Sequence, residues 1–324
     1  MTNTMNYKEF KTYISDHIRQ FLPEDFKCER VFISQVCKSS DETLDALFIE
    51  EEGSIAAPNI YLEEYYAKYA SGTRTEELMK EIADFRICFR NPESVGLDPL
   101  ICNPSALEKF ENVKDRIVAR LINYENSRNY LEDKAFRLVE DLAVTYHIYI
   151  QSGPSVYTTA ITRDLMRMYH TGIEELHSLA VKNMPQLMPI WFRSLDTLVA
   201  ESIMDRGEAK TLEETGVKLT PEGLIDDDGT MVISNATRCY GASVLLVPEY
   251  MDCLGRVLGK DLYIIPSSVH EVILRPKEQV DDVADLRRVI REVNRSVVEK
   301  KERLSDNVYT YDFEHHLPVI CRDK

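Results

Sequence analysis

From residue 7 onward the chain alternates short apolar stripes with polar breaks, and the period of each stripe predicts the local structure. Tyr7, Phe10, Tyr13, Ile14, His17, Ile18 and Phe21 recur at three- and four-residue spacing, the signature of an amphipathic helix, which Pro23 ends. Residues 29–36 and 43–50 then switch to β-rich runs around the polar cluster Lys38–Asp41, predicting a hairpin. Residues 60–69 return to helical spacing. Thr73 with Glu76 forms a capping-box pattern for a helix that uses Leu78, Ile82 and Phe85.

Pro92, Gly96, Pro99 and Pro104 make the densest breaker cluster, so a division is expected there, with an N-terminal subdomain over 1–104 and a C-terminal one over 105–324. Beyond it, residues 116–124, 142–150 and 157–162 read as strands and 125–132 as a helix. Thr171 with Glu174 predicts a helix through Leu176, Leu179 and Ala180. Residues 205–229 are polar and end in Asp226, Asp227, Asp228 and Gly229, which predicts a surface excursion and a tight turn. Strands are expected over 231–234, 262–266 and 271–274, and a helix opened by Pro248. A helix follows over 281–295 with Val283, Leu286, Val289, Ile290 and Val293 on one face, then a hairpin over 307–313 and 317–321. Without strict βαβ alternation this is an α+β fold, with mixed or antiparallel sheets flanked by amphipathic helices in two packed subdomains.

Composition narrows the classes of function. A chain of 324 residues that is 44% hydrophobic, with only 25 Gly and Pro, is long and apolar enough to bury a sizeable core. A formal charge of −16 repels phosphate backbones, and the basic residues do not pool, so direct nucleic-acid binding is not expected. No apolar run approaches the length of a membrane span, and residues 1–11 lack a signal-peptide pattern, so the expected location is cytoplasmic, with no membrane partner. Seven scattered cysteines without a C-x-x-C pair read as reduced thiols. The glycine fingerprints of nucleotide-binding loops do not occur, and no cofactor is expected.

The most suggestive chemistry is the polar island Ser267, Ser268, Val269, His270 and Glu271 between the apolar runs YII and VIL. On a strand, Ser268 and His270 would share a face with Cβ atoms about 6.6 Å apart, wide for a nucleophile and its base. Read as a polar turn, the hydroxyls satisfy backbone groups; read as a site, His270 is a general base or ligand. His147, in the run VTYHIYI, is a further catalytic candidate or a packed core histidine. Glu314, His315 and His316 could hold a metal, but adjacent histidines on a strand point to opposite faces, so none is expected there. Trp191 reads as a packing residue. Tyr61, Tyr65, Tyr66 and Tyr69 lie at helical spacing with one face packed.

The stretches IYLEEYYAKYASG (60–72), FENVKDRIVARLINYENSRNYL (110–131), DLAVTYHI (141–148), EELHSLAVKN (174–183), YIIPSSVHEVIL (263–274), REVNRSVV (291–298) and LSDNVYTYD (304–312) together resemble a bacterial domain of unknown function, family five-six-eight-eight. EELHSLAVKN and GASVLLVPEY are also distantly similar to the YtpQ-like uncharacterised family. The resemblance implies a cytoplasmic bacterial protein and supplies no activity, cofactor or catalytic residue. Since no nucleophile, base and oxyanion donors come together in the sequence, the expectation is a non-enzymatic interaction or regulatory protein with a protein partner. The rivals are a hydrolase-like enzyme centred on Ser267–Glu271 and an acidic decoy for a basic protein.

Overall fold

The fold is that of a computed structural model, which describes residues 5–52, 57–88, 98, 100, 104–152, 155–194, 229–259 and 261–322. It is α+β, and the described strands form three antiparallel sheets. The chain divides into two compact units, Met1–Lys38 with Glu42–Val113 and Ile150–Thr158, and Ser39–Asp41 with Lys114–Tyr149 and Thr159–Lys324. Pro92, Gly96 and Pro99 of the expected division, and most of the 205–229 excursion including Asp226, Asp227 and Asp228, lie outside the described residues.

In the first unit, helix α1 (Tyr7–His17) is opened by a reciprocal capping box in which Asn6 and Glu9 satisfy each other's backbone N–H groups. A 3₁₀ turn over Ile18–Phe21 carries the apolar stripe to its end. Strands β1 (Cys28–Cys37) and β2 (Thr43–Glu51) form the expected hairpin, and the short β3 (Ile60–Tyr61) pairs with β2. Helices α2 (Leu62–Ala70) and α3 (Thr75–Cys88) follow, and the single-turn α4 (Pro104–Leu107) and α5 (Phe110–Val113) belong to the same unit; α3 begins two residues after Thr73, the expected cap. Phe10, Ile14, Ile18, Leu47, Ile49, Leu62, Leu78 and Ile82 form its core, with Tyr65, Tyr66 and Tyr69 packed half-buried against it. The tyrosine hydroxyls do not simply face solvent: Tyr69 Oη accepts from the Met5 N–H at 2.9 Å and Tyr66 Oη donates to the Met5 carbonyl at 3.4 Å. They tie the chain's start to α2.

The second unit carries the candidate sites. Strand β4 (Ile117–Asn123) opens a sheet with β5 (Phe136–Val139), β6 (Leu142–Ser152) and β7 (Ser155–Ala160). β6 pairs with β4 and β5, and its residues 142–150 are all buried, which fits the unbroken apolar run. The one-turn α6 (Arg128–Leu131) and α7 (Arg163–Met168) flank this sheet; Thr162 caps α7 by accepting from the Leu165 N–H. Helix α8 (Ile173–Leu187) packs on β4, where buried Asn183 donates to the Lys114 and Ile117 carbonyls. Its N-cap position is Gly172, not Thr171, whose hydroxyl donates to Glu175 instead.

A six-stranded sheet follows, in the order β13 (Leu317–Ile320), β12 (Tyr309–Asp312), β10 (Leu262–Ile265), β11 (Val272–Pro276), β9 (Met231–Asn235), β8 (Ile190–Ser194). Trp191, on β8, is buried with Arg238 stacked over its ring, as its packing role required. The fully buried 3₁₀ segment Gly241–Leu246 leads into α9 (Pro248–Leu258), and α10 (Val283–Ser296) runs along the surface. The apolar face of α10 is divided: Ile290 is buried, beside Arg287 and Asn294, while Val289 and Val293 are exposed.

Candidate functional site

Two places in the second unit concentrate polar chemistry, and only one of them was visible in the sequence. The first is the Ser267–Glu271 island, which forms the loop of the β10–β11 hairpin and not a strand. The Ser268 N–H donates to the Glu271 carbonyl at 3.1 Å and the His270 N–H donates to Ser268 Oγ at 3.0 Å. The His270 carbonyl accepts from buried Ser234 Oγ at 2.6 Å. These bonds close the turn on itself.

The imidazole of His270 is held by the neighbouring loop 235–241. Asn235, fully buried, accepts at Oδ1 from the Thr237 and Cys239 N–H groups and donates from Nδ2 to the Cys239 carbonyl, fixing a tight path. Arg238 and Tyr240 both take left-handed backbone conformations, at φ 51° and 53°. The Tyr240 N–H is thereby aimed at His270 Nδ1, 3.2 Å away, and the two rings lie 5.6 Å apart. A backbone N–H can only donate, so Nδ1 is the acceptor and the ring proton sits on Nε2, facing Glu302 at 3.8 Å. The lone pair that a general base would need is already used.

Gly241 is what lets the two loops meet. A Cβ there would lie 2.0 Å from Ser234 Oγ, 2.3 Å from the His270 carbonyl oxygen and 2.8 Å from the Asn235 nitrogen. Only glycine permits that approach.

His147 is not brought to this loop by a hydrogen bond. It is buried in β6, where Nε2 meets Thr145 Oγ1 at 3.0 Å, and burial, with Arg120 and Lys134 adding to it, holds its pKa well below the usual histidine range. His177, on α8, is likewise pushed down to about 4 by burial, with Arg137 adding to the effect. Its Nδ1 lies 3.4 Å from the hydroxyl of Tyr146. His315 and His316 sit in the β12–β13 turn. His315 Nδ1 meets Asp312 at 2.8 Å and its pKa is raised by that contact, while His316 has φ 54°. Among the described residues, no group of three or more His, Cys, Asp or Glu side chains is placed to hold a metal ion.

The second place is a polar cavity of about 340 Å³ built around Asp141. Asp141 occupies the tight turn between β5 and β6, where Glu140 takes φ 54° and the strands are paired at Val139 and Leu142. Its carboxylate accepts from Ser305 Oγ at 2.7 Å, from Asn307 Nδ2 at 3.1 Å and from the phenol of Tyr309 in a short hydrogen bond. Burial, and then the Asp141 charge, push the Tyr309 phenol far above its usual range, so it remains a donor. Asn294, buried at the end of α10, donates to the Ser305 carbonyl at 3.0 Å and to Asp306 at 2.7 Å. Asn123, ending β4, donates to the Leu304 carbonyl at 2.9 Å. Three separate segments, at Asn123, Asp141 and Asn294, thus converge on residues 304–307.

The lining of this cavity also includes Glu125, Asn126, Arg295, Arg303 and Asp306. Donors and acceptors both line it, around a floor held by the hydrogen bonds of Asp141 and Asn294. Ser305 is buried with its hydroxyl donated to a carboxylate and its oxygen accepting from the Asn307 N–H, which is a positioning arrangement and not an activated nucleophile. Sequence reasoning missed this cavity: of residues 304–307 only Asn307 entered a structural reading, as the first residue of a strand, and Asp141 entered none. The one available signal was the density of Ser, Asp and Asn just before an alternating apolar run.

Among the described residues no helix is long and apolar enough to cross a membrane. Comparison with the curated proteins and with the solved structures gives no match. The family model that does match extends over residues 7–313, through both units and across every segment of the Asp141 cavity, and the chain accordingly belongs to the Family of unknown function (DUF5688).

Proposed function

We propose that this chain is a cytoplasmic bacterial interaction protein that works by binding a polar segment of a protein partner at the Asp141 cavity. The observation that carries the reading is the division of labour in the cavity. Asp141 accepts from Ser305, Asn307 and Tyr309, and Asn294 donates to the Ser305 carbonyl and to Asp306, which fixes the floor. Arg295, Arg303, Glu125 and Asn126 line the wall with guanidinium, carboxylate and amide groups. Such a surface suits peptide carbonyls, amides and side-chain charges, because each needs an oriented partner of the opposite hydrogen-bonding sense. Hydrolysis centred on Ser267–Glu271 is the weaker reading, since His270 Nδ1 already accepts the Tyr240 N–H.

The test uses the full-length protein with a photo-crosslinking residue at Asn126, exposed to native lysate and analysed by mass spectrometry. The expected result is one dominant partner whose crosslinked segment is polar, and whose capture falls at least tenfold in the Arg303→Ala variant. Turnover of a substrate that is lost in His270→Ala would overturn the reading.

A further inference from the structure

The charged groups that line the Asp141 cavity differ in how much of their bonding capacity the chain itself has used. All three carboxylates accept from donors of this chain: Asp141 from Ser305, Asn307 and Tyr309, Asp306 from Asn294 at 2.7 Å, and Glu125 from the Arg128 guanidinium at 2.6 Å. The two guanidiniums are in the opposite state. Among the described residues the Arg295 guanidinium makes no hydrogen bond or ion pair, and Arg303 spends only Nε, on the Val298 carbonyl at 3.0 Å. A guanidinium carries five N–H donors and no acceptor, so most of the cavity's unspent capacity is cationic and donating.

This asymmetry specifies the sign of what fits. A cationic anchor would have to share the carboxylate oxygens with donors already in place, whereas an anionic one meets N–H groups that have no other acceptor. The planar fork of a guanidinium matches the two oxygens of a carboxylate, and such charge-assisted bonds are roughly twice as strong as neutral ones. The cavity, at about 340 Å³, is at the small end of ligand sites, with room for an anchoring side chain and its backbone and not for a folded surface. The chain's formal charge of −16 opposes an acidic partner at long range, but salt at physiological strength screens that repulsion beyond about 8 Å and leaves close pairs in place.

We infer that the group anchored in this cavity is a carboxylate, taken up by Arg295 and Arg303 and supplied by an aspartate or glutamate side chain of a partner peptide segment. The inference rests on the cavity being a protein-binding site and adds the chemistry of what is bound. Asp141 and Asn294 hold residues 304–307 in place and so act as positioning residues, while the two arginines touch the partner.

The test uses the full-length chain with a photo-crosslinking residue at Asn126, illuminated with a pool of random short peptides, the captured peptides being sequenced by mass spectrometry. Capture is counted above that of a chain carrying the same residue at Glu77, which does not line the cavity. The expected result is enrichment of Asp and Glu over the input pool, with capture about tenfold weaker in Arg303→Gln. In Arg295→Glu, an exchange at an exposed position that should leave circular dichroism unchanged, the enrichment should turn toward Lys and Arg. Capture without enrichment in acidic residues, or enrichment indifferent to both variants, overturns the inference and leaves the binding reading standing. Succinate, a free dicarboxylate, separates the two sources of the group. If it raises the melting temperature of the parent chain but not of Arg303→Gln while no peptide is captured, a small carboxylic acid replaces the peptide and the protein-binding reading falls. If neither succinate nor any peptide binds, the inference and that reading fall together.

Discussion

The hairpin loop Ser267–Glu271 and the cavity around Asp141 lie in the same unit and use the same residue types, yet they are built in opposite ways. The loop draws its polar groups from five consecutive residues, and these largely satisfy one another and the loop beside them. The cavity draws Asn123, Asp141, Asn294 and Ser305 from positions up to 182 residues apart, counting from 123 to 305, and leaves charged side chains lining its wall. Nearness along the chain made the first conspicuous and gave it only a closed turn. Convergence in space made the second, which is the arrangement that can receive a partner.

The comparison can be broken by mutation. The largest effect is expected from Gly241→Ala, because the added methyl would meet two backbone atoms that cannot rotate aside. A loss above about 4 kcal/mol, or failure to fold, is expected from urea unfolding. A loss below about 1 kcal/mol would show that the two loops can part without cost.

Next comes Asp141→Ala, which strips the acceptor from the buried Tyr309 phenol, Ser305 and Asn307 at once, with an expected cost of about 3 kcal/mol. Tyr309→Phe removes one donor and should cost about 1 kcal/mol. His270→Ala should also cost about 1 kcal/mol, since the half-exposed loop lets water reach the Tyr240 N–H. Should His270→Ala prove as damaging as Asp141→Ala in urea midpoint, the loop would be no less central than the cavity.

A smaller effect concerns pH. The folded pKa of His177 is about 4, below its unfolded value of 6.5, so the unfolded chain takes up the proton first as pH falls. The contribution to stability is complete above 6.5 and is lost progressively toward 4, and buried His147 acts in the same direction. His177→Phe should flatten the wild-type decline in urea midpoint between neutral pH and about pH 5. An unchanged slope would show that His177 does not contribute. His315→Ala, at an exposed turn, should have only a small effect and of the opposite sign, since a raised pKa contributes stability at acidic pH that is lost as pH rises.

Legibility tracked how far each feature depends on residues nearby in the chain. The β1–β2 hairpin, α1, α9 and the β12–β13 hairpin follow from periodicity and breakers, because each is decided within some twenty residues. Strands β5 and β8 were not anticipated: FRLV and IWFRS are too short to show a period, and pairing with β6 and β9 makes them strands. The caps expected at Thr73 and Thr171 fall elsewhere: α3 begins at Thr75, and the N-cap of α8 is Gly172.

The sequence by itself determined the α+β class, the order of most elements, the apolar stripes and the acidic charge, all properties of local pattern and composition. Tertiary structure alone decided that the valines of α10 face out and that Asp141 meets Ser305, Asn307 and Tyr309. It also decided that His270 spends its lone pair on Tyr240. The reason is physical: periodicity says which residues share a face, but the direction of that face depends on what the rest of the chain supplies to meet it. On α10 buried Asn294 finds the Ser305 carbonyl and Asp306, and those bonds, with buried Arg287, turn the helix away from its own apolar stripe.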